Sequence, residues 1–251
     1  MHPTLPDSDF RATLERPEHS AARSRAGDAL AGPARPVGDP RWSRLLIVEG
    51  VSGIGKSTLI DALIRRYVAD QPARKLRTLV HLTQAHTYGP LAADEDRGAL
   101  TVERNLAHLD QIVSMLEWHV RSLVAERNPK FFGIVDTLHL THCHRPGVVG
   151  WSDVAAIDRR LAALGAKMIF AHAGDQMIWD RGIAPRRDEQ FMIEYAFEKW
   201  GGSLEAVHGY FVGEQRAMRS AAERTHLAHR AIAIDGPLST YLDEAYEFWM
   251  G

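Results

Sequence analysis

The stretch IVEGVSGIGKSTL, from Ile47 to Leu59, decides the fold of this chain. An apolar run ends inside it, and three glycines, a lysine and three hydroxyl residues, two of them directly after the lysine, follow before the next apolar pattern begins. Glycine weakens strands and helices alike, so neither element accounts for this composition. The stretch therefore predicts a tight loop between a strand and a helix, shaped around something small and charged.

The loop residues match the phosphate-loop pattern Gly-x-x-x-x-Gly-Lys-Ser/Thr. The preceding run, Arg44–Glu49, suits a strand buried on both faces, and the apolar residues after the loop recur at helical spacing. Glycines let successive N–H groups face a phosphate, and the helix adds the positive end of its dipole. We expect a nucleoside triphosphate to bind here, at Gly50, Val51, Ser52, Gly53, Ile54, Gly55, Lys56, Ser57 and Thr58.

Four side chains near this loop suit phosphoryl chemistry. Lys56 is expected to contact the β- and γ-phosphates, and the Ser57 hydroxyl to bind Mg²⁺. Asp136 ends the apolar run FFGIVD and can bind the metal or accept a proton from an acceptor hydroxyl. The alternative for Asp136 is an ordinary turn cap. Glu49 has two similar interpretations, as a residue that senses the metal or as a turn cap.

Composition limits the class of protein. The chain has 251 residues, 45% of them hydrophobic, which suits one large α/β domain. The net charge is -2, so the chain does not have the excess of basic residues that is typical of proteins that bind nucleic-acid polymers. The single cysteine, Cys143, excludes an intramolecular disulfide and fits a reducing compartment. Because there is neither a membrane-length apolar run nor an N-terminal secretory signal, we expect a cytoplasmic protein.

Residues 1–42 differ from the rest of the chain. Six of its 12 prolines lie there, namely Pro3, Pro6, Pro17, Pro33, Pro36 and Pro40. The segment has no sustained periodicity, so burial of its apolar groups would not offset the entropy lost on ordering. We expect a disordered extension, and the alternative is an arm that docks on the partner subunit of a homodimer. The folded domain is then 43–251.

From Arg44 onward, strand and helix patterns alternate, which predicts an α/β, three-layer P-loop NTPase fold with a parallel sheet flanked by helices. Strands are predicted at residues 44–49, 76–82, 130–136, 166–172 and 230–235. Helices are predicted at 102–126, from a Ser152 cap to Leu164, and from near Ser239. The segment Ser203–Thr225 is interpreted as a solvated helical surface, with a subunit contact as the alternative.

The stretch WDRGIAPRRDEQF, Trp179–Phe191, contains Arg181, Arg186 and Arg187. The loop at Gly50–Ser57 has no arginine, so an arginine that stabilises the transferring phosphoryl group must come from elsewhere. We therefore predict a helical lid at about residues 176–200, with a solvated charged turn as the alternative.

Two further groups of residues are less specific. One short stretch contains four possible metal ligands, His139, His142, Cys143 and His144. Zinc sites usually take four ligands from two separated pairs, so contact with an acceptor or ordinary loop chemistry is favoured over zinc binding. Trp118 lies on the long predicted helix that would border an acceptor pocket. It could stack on a base there, and the alternative is a core or rim position.

The stretch LLIVEGVSGIGKSTLIDAL, Leu45–Leu63, resembles the opening of thymidylate kinases and of their relatives the deoxynucleoside kinases. The later order is similar too, with AIAID before the last helix. The resemblance implies a five-stranded parallel core, a mobile lid, ATP as donor, and a nucleoside or nucleoside monophosphate as acceptor. Lys56 and Ser57 match its phosphate and Mg²⁺ positions, and Asp136 matches its acidic residue after strand three. The loop around Gly236 and Pro237 would lie near the adenine.

Two departures from that family concern the acceptor. Thymidylate kinases follow the strand-three Asp with Arg, whereas this chain has Thr137. Their Arg-Glu-Pro-Gly-like segment is replaced by HLTQAHTYGP, His81–Pro90. Both changes remove groups that would bind an acceptor phosphate, so an unphosphorylated acceptor fits as well as a nucleotide. The function classes left open are a small-molecule kinase and an NTP-hydrolysing switch or assembly factor with no small-molecule acceptor.

Overall fold

The computed structural model describes residues 43–70, 79–125, 131–144, 148–188 and 202–251. The predicted extension at 1–42 lies outside these residues. So do 76–78 of the predicted second strand and 189–200 of the predicted lid.

Five parallel strands form one sheet in the order β2-β3-β1-β4-β5. The central strands β1 and β3 are apolar almost throughout and buried along nearly their whole length, as expected for strands covered on both faces. The predicted α/β class with a five-stranded parallel sheet is confirmed. The strands are β1 Ser43–Glu49, β2 Leu79–Leu82, β3 Phe131–Asp136, β4 Lys167–His172 and β5 Ala228–Ala233.

Helices flank the sheet, and short turns extend two of its loops. A π-helical turn spans Ile178–Ile183, and 3₁₀ turns span Ala184–Arg186 and Leu238–Thr240. The helices are α1 Lys56–Asp70, α2 Gln84–Thr87, α3 Gly89–Asp96, α4 Val102–Ala125, α5 His139–His144, α6 Trp151–Ala163, α7 Asp175–Met177, α8 Leu204–Ala222 and α9 Leu242–Met250.

The strand order places β1 in the centre of the sheet. The chain passes first to β2 and β3 on one side of β1, and later to β4 and β5 on the other. The direction of winding therefore reverses beside β1. In open parallel sheets, ligands bind outside the carboxyl ends of the strands at such a point.

Two predicted boundaries are wrong for identifiable reasons. The last strand is β5, Ala228–Ala233, rather than 230–235, because this edge strand is mostly exposed and its apolar signal is weak. Ser152 does not cap α6. The cap is Gly150, whose backbone N–H donates to the Asp153 carboxylate at 2.8 Å.

The segment Ser203–Thr225 is helical as predicted, but only one face of the helix is solvated. Ser203 caps α8, since its hydroxyl accepts a hydrogen bond from the Ala206 N–H at 3.1 Å. One face of the helix is buried, including Phe211, and the buried Gln215 side chain exchanges two hydrogen bonds with the backbone of Ala173, at 2.9 and 2.8 Å. The helix therefore packs against the chain just after β4.

Candidate functional site

The loop between β1 and α1 requires glycine at particular positions. Gly50 and Gly53 have φ angles of 145° and 80°, in the region that side chains rarely adopt. A Cβ atom on Gly50 would collide with the carbonyl oxygen of Ala171, and one on Gly53 would lie 2.6 Å from the Cα of Gly182. The loop therefore packs in close contact with both the end of β4 and the π-helical turn. Any side chain at either glycine would displace one of them.

Lys56 is the first residue of α1, and it is 7% exposed. Its Nζ donates a hydrogen bond to the carbonyl oxygen of Val51 at 2.8 Å. The ammonium group is therefore held over the loop that precedes it. The next two residues, Ser57 and Thr58, are exposed, so their hydroxyls are accessible at the N-terminus of a 15-residue helix.

A cavity of about 330 Å³ opens at the carboxyl edge of the sheet. It brings together residues from the loop, the first turn of α1, α2, the end of β3 and the 3₁₀ turn after β4. They are Ser52, Gly53, Gly55, Lys56, Ser57, Thr58, Gln84, Asp136 and Arg186. These segments are far apart in sequence, and their convergence is what defines the candidate site.

Asp136 is the buried acidic group of this cavity. Its side chain is 7% exposed, and Oδ1 has no hydrogen-bond partner among the described residues. Burial raises the pKa of Asp136, although the positive charge of Lys56 acts in the opposite direction. A buried carboxylate oxygen without a partner is costly, so it favours a ligand that brings a cation or a hydroxyl proton. Together with the Ser57 hydroxyl, it fits a Mg²⁺ site.

Thr137, directly after Asp136, has strained backbone geometry. Its φ of 58° is in the left-handed region, which is unusual for a β-branched residue. Such a conformation costs about 1–3 kcal/mol and persists only where the surroundings enforce it. Its N–H donates to the Val48 carbonyl at 3.0 Å, and its hydroxyl donates to the carbonyl oxygen of Asp136 at 2.7 Å. Nothing in the local sequence predicts this conformation.

Glu49 is fully buried and stabilises the segment after β3. Its carboxylate accepts hydrogen bonds from the N–H groups of Leu138 and Leu140 at 2.9 and 3.0 Å, and from the Thr141 hydroxyl at 2.8 Å. Of the two interpretations drawn from the sequence, capping agrees with this geometry. The contact also ties the start of the glycine loop to the turn that follows Asp136.

The three arginines predicted for the lid lie in different environments. Arg186 lines the cavity. The Arg181 guanidinium instead donates to the carbonyl oxygens of Ile234 and Gly236, at 2.5 and 3.1 Å, in the loop after β5. Arg187 is 66% exposed and lies 3.5 Å from the Asp188 carboxylate. Only Arg186 of the three reaches the cavity in this conformation.

The histidine-rich stretch forms the buried helix α5. His139 Nε2 lies 3.1 Å from Asp158 Oδ1, and His142 Nε2 lies 3.0 Å from the Thr87 carbonyl oxygen. Within the described ranges, no cluster of three or more His, Cys, Asp and Glu side chains is arranged to hold a metal ion, so this stretch is not a zinc site. Burial raises the pKa of Cys143 to about 12, so its thiol is unreactive. These side chains act in packing and hydrogen bonding.

The residues of α4 near the site are not those expected from sequence. Trp118 is 64% exposed, and the neighbouring His119 ring lies 6.2 Å from that of Phe131, at the amino end of β3. Trp118 thus lies toward the opposite edge of the sheet from the glycine loop, so the interpretation that it stacks on a base in an acceptor pocket is wrong. Its exposure also rules out the core position. The amino-terminal part of α4 lies nearer to the site, since His108 Nε2 is 2.9 Å from the carbonyl oxygen of Thr87, whose hydroxyl donates to the Asp136 carbonyl oxygen.

A smaller cavity adjoins the first and shares Ser52, Lys56 and Gln84 with it. Among the described residues that line it, Lys56 is the sole basic side chain. The full lining is Gly50, Val51, Ser52, Lys56, Gln84, Thr137, Thr141, Phe211 and Glu214. No local sequence pattern indicates this cavity, because its lining residues come from α2, α5 and α8 as well as from the loop.

Three histidines with lowered pKa values make the stability of the fold depend on pH. Burial lowers the pKa of His108, His144 and His172 below the ordinary value of 6.5. Near and below pH 6.5 these three side chains bind protons in the unfolded chain that they resist in the folded one, so their contribution to the free energy of unfolding decreases as the pH falls from about 7. We expect urea midpoints to decrease between pH 7.5 and 5.5, and the decrease to be smaller in His108→Gln. A midpoint that rises over this range would contradict the assignment.

The fold and site define an α/β protein with a cavity at the carboxyl edge of its parallel sheet. No protein-family model matches the chain, and no curated protein matches it either. None of the described helices is sufficiently long and apolar to cross a membrane.

Proposed function

We propose that this protein is an ATP-dependent small-molecule kinase with a P-loop NTPase fold. The observation that supports it most is the 330 Å³ cavity, where the glycine loop, Lys56, the unpartnered Asp136 oxygen and Arg186 meet. Two positively charged side chains and a buried carboxylate that line one cavity suit a triphosphate with its metal ion. A glycine-rich turn without a ligand would leave this set of charges unexplained.

Each charged or hydroxyl side chain of the cavity would have its own role in phosphoryl transfer. Lys56 would hold the β- and γ-phosphates, and Ser57 would bind Mg²⁺ with Asp136. ATP supplies the transferable phosphoryl group when bound, and Mg²⁺ neutralises its charge. In the alternative role, Asp136 would accept the proton of the attacking hydroxyl instead of binding the metal directly. Arg186 would stabilise charge on the transferring group.

The acceptor is proposed to be a hydroxyl compound without a phosphate. The smaller cavity beside Lys56 is lined mainly by neutral groups, together with the Glu214 carboxylate. Proteins usually recognise a phosphate ester with arginine, whose fork matches the phosphate oxygens. The described wall offers hydroxyl and amide groups from Thr137, Thr141 and Gln84 instead.

The test is acceptor-dependent release of ADP. We would screen nucleosides, nucleoside monophosphates, and sugar or alcohol metabolites against the full chain with Mg²⁺ and ATP. A kinase should hydrolyse ATP slowly alone and release ADP quickly with its acceptor, because an enclosed site protects the phosphoryl group from water. Rapid hydrolysis that no acceptor increases, but that a protein partner does, would instead support an NTP-driven switch.

Asp136→Asn is expected to lower turnover about 10²-fold, the range for loss of a general base or metal ligand. The ATP dissociation constant should change by less than about threefold, because phosphate binding depends on the loop and Lys56. Single-turnover transfer and calorimetric ATP binding would measure the two effects. Asp61→Asn, at an exposed position of α1, is the matched control. A loss restricted to thermal stability would favour the turn-capping role.

A further inference from the structure

The turn at the end of β3 is held by an unusual pair of hydroxyl groups. The carbonyl oxygen of Asp136 accepts hydrogen bonds from the Thr137 hydroxyl at 2.7 Å and from the Thr87 hydroxyl at 3.1 Å. Both threonines are buried, with 2% and 0% of their surfaces exposed. Thr137 is also the one described residue other than glycine with a positive φ. Strain and two buried hydrogen bonds therefore coincide at the residue that carries the candidate carboxylate.

Thr87 is itself fixed from two helices. Its carbonyl oxygen lies 2.9 Å from His108 Nε2 of α4 and 3.0 Å from His142 Nε2 of α5. Both histidines must donate from Nε2, since a carbonyl oxygen can only accept. The Thr87 hydroxyl is thereby held above Asp136 by contacts that do not involve the cavity.

The strained turn has a direct consequence for the cavities. Asp136 lines the larger cavity and Thr137 lines the smaller one, although they are adjacent in the chain. In an extended strand, successive side chains point to opposite faces. The left-handed residue ends the strand and allows both side chains to line adjoining parts of one site. Strain kept at such a position is typical of functional sites.

We propose that Thr137 is a positioning residue that orients the Asp136 carboxylate toward the acceptor hydroxyl, with Thr87 as its support. The inference rests on the proposed function, since it assigns Thr137 a part in the same transfer. Thr137 acts through Asp136: its conformation and its hydroxyl hold the peptide from which the carboxylate projects. The strain is retained because relaxing the turn would let that carboxylate move away from the reacting oxygen.

The experiment compares Thr137→Gly and Thr137→Ser in the full chain. Glycine adopts the positive φ without strain, so relief of strain should offset the lost contacts and keep the melting temperature within about 3 °C of wild type. Turnover should nevertheless fall about tenfold, with the KM for ATP unchanged within about twofold. Serine keeps the hydroxyl and should retain turnover within about threefold of wild type. Each would be measured with the acceptor identified by ADP release.

A double-mutant cycle with Asp136→Asn separates positioning from packing. If Thr137 acts through Asp136, Thr137→Gly should lower turnover by less than about twofold in the Asp136→Asn background. An undiminished tenfold loss there would overturn the proposal, as would a Thr137→Gly variant that melts far lower yet turns over like wild type. Failure of the proposed function would look different, because wild-type protein would then transfer phosphate to no acceptor at all.

Discussion

Lys56→Ala is expected to lower phosphoryl transfer at least about 10³-fold and to leave the fold intact. The side chain is buried, and its ammonium group donates a hydrogen bond to the loop carbonyl oxygen of Val51 at 2.8 Å. Its removal takes away the positive charge that would hold the β- and γ-phosphates. Groups of this kind lower the activation barrier by several kcal/mol. The pKa of Asp136 should rise further as well, because Lys56 now lowers it.

Single-turnover transfer, ATP binding by calorimetry and thermal melting would be measured on the same preparation. Lys167→Ala is the matched control, since Lys167 begins β4 and donates to the Phe248 carbonyl oxygen at the other edge of the sheet. Its turnover should equal that of wild type. Near-normal turnover in Lys56→Ala would contradict the proposal that this loop binds the triphosphate of a kinase.

Arg186→Ala is expected to lower turnover about 10³-fold with a change of less than about threefold in ATP affinity. An arginine that stabilises charge only in the transition state affects the barrier and leaves ground-state binding almost unchanged. Arg186 is assigned this role because it lines the same cavity as Lys56 and Asp136.

The comparison variants follow from the structure. Arg187→Ala should have a much smaller effect, because Arg187 is 66% exposed and lies beside Asp188. Arg97→Ala is the neutral control, since Arg97 forms an exposed pair with Asp94 at 2.8 Å. If all three variants turned over like wild type, Arg186 would be part of a solvated turn and the stabilising charge would come from another residue.

Local patterns in the sequence were sufficient for the architecture. Buried parallel strands read as continuous apolar runs, so β1 and β3 were predicted to within one residue at each end. The glycine loop was equally clear, because its positive φ angles and close approaches admit hardly any other residue. Both features arise within a few consecutive residues. The sequence by itself therefore determined the sheet, the loop and the edge at which a ligand should bind.

The tertiary structure decided which side chains meet at that edge. Thr87 contacts Asp136 across 49 positions, and Glu49 contacts Leu138 across 89. No local pattern records such contacts, so the roles of Thr87, Glu49 and the three arginines could not be read from their spacing. Thr137 is the clearest case, because its intrinsic preference opposes its observed φ of 58°. The contacts that hold this turn come from Val48 of β1 and Thr87 of α2, and they are made only after these distant segments have come together.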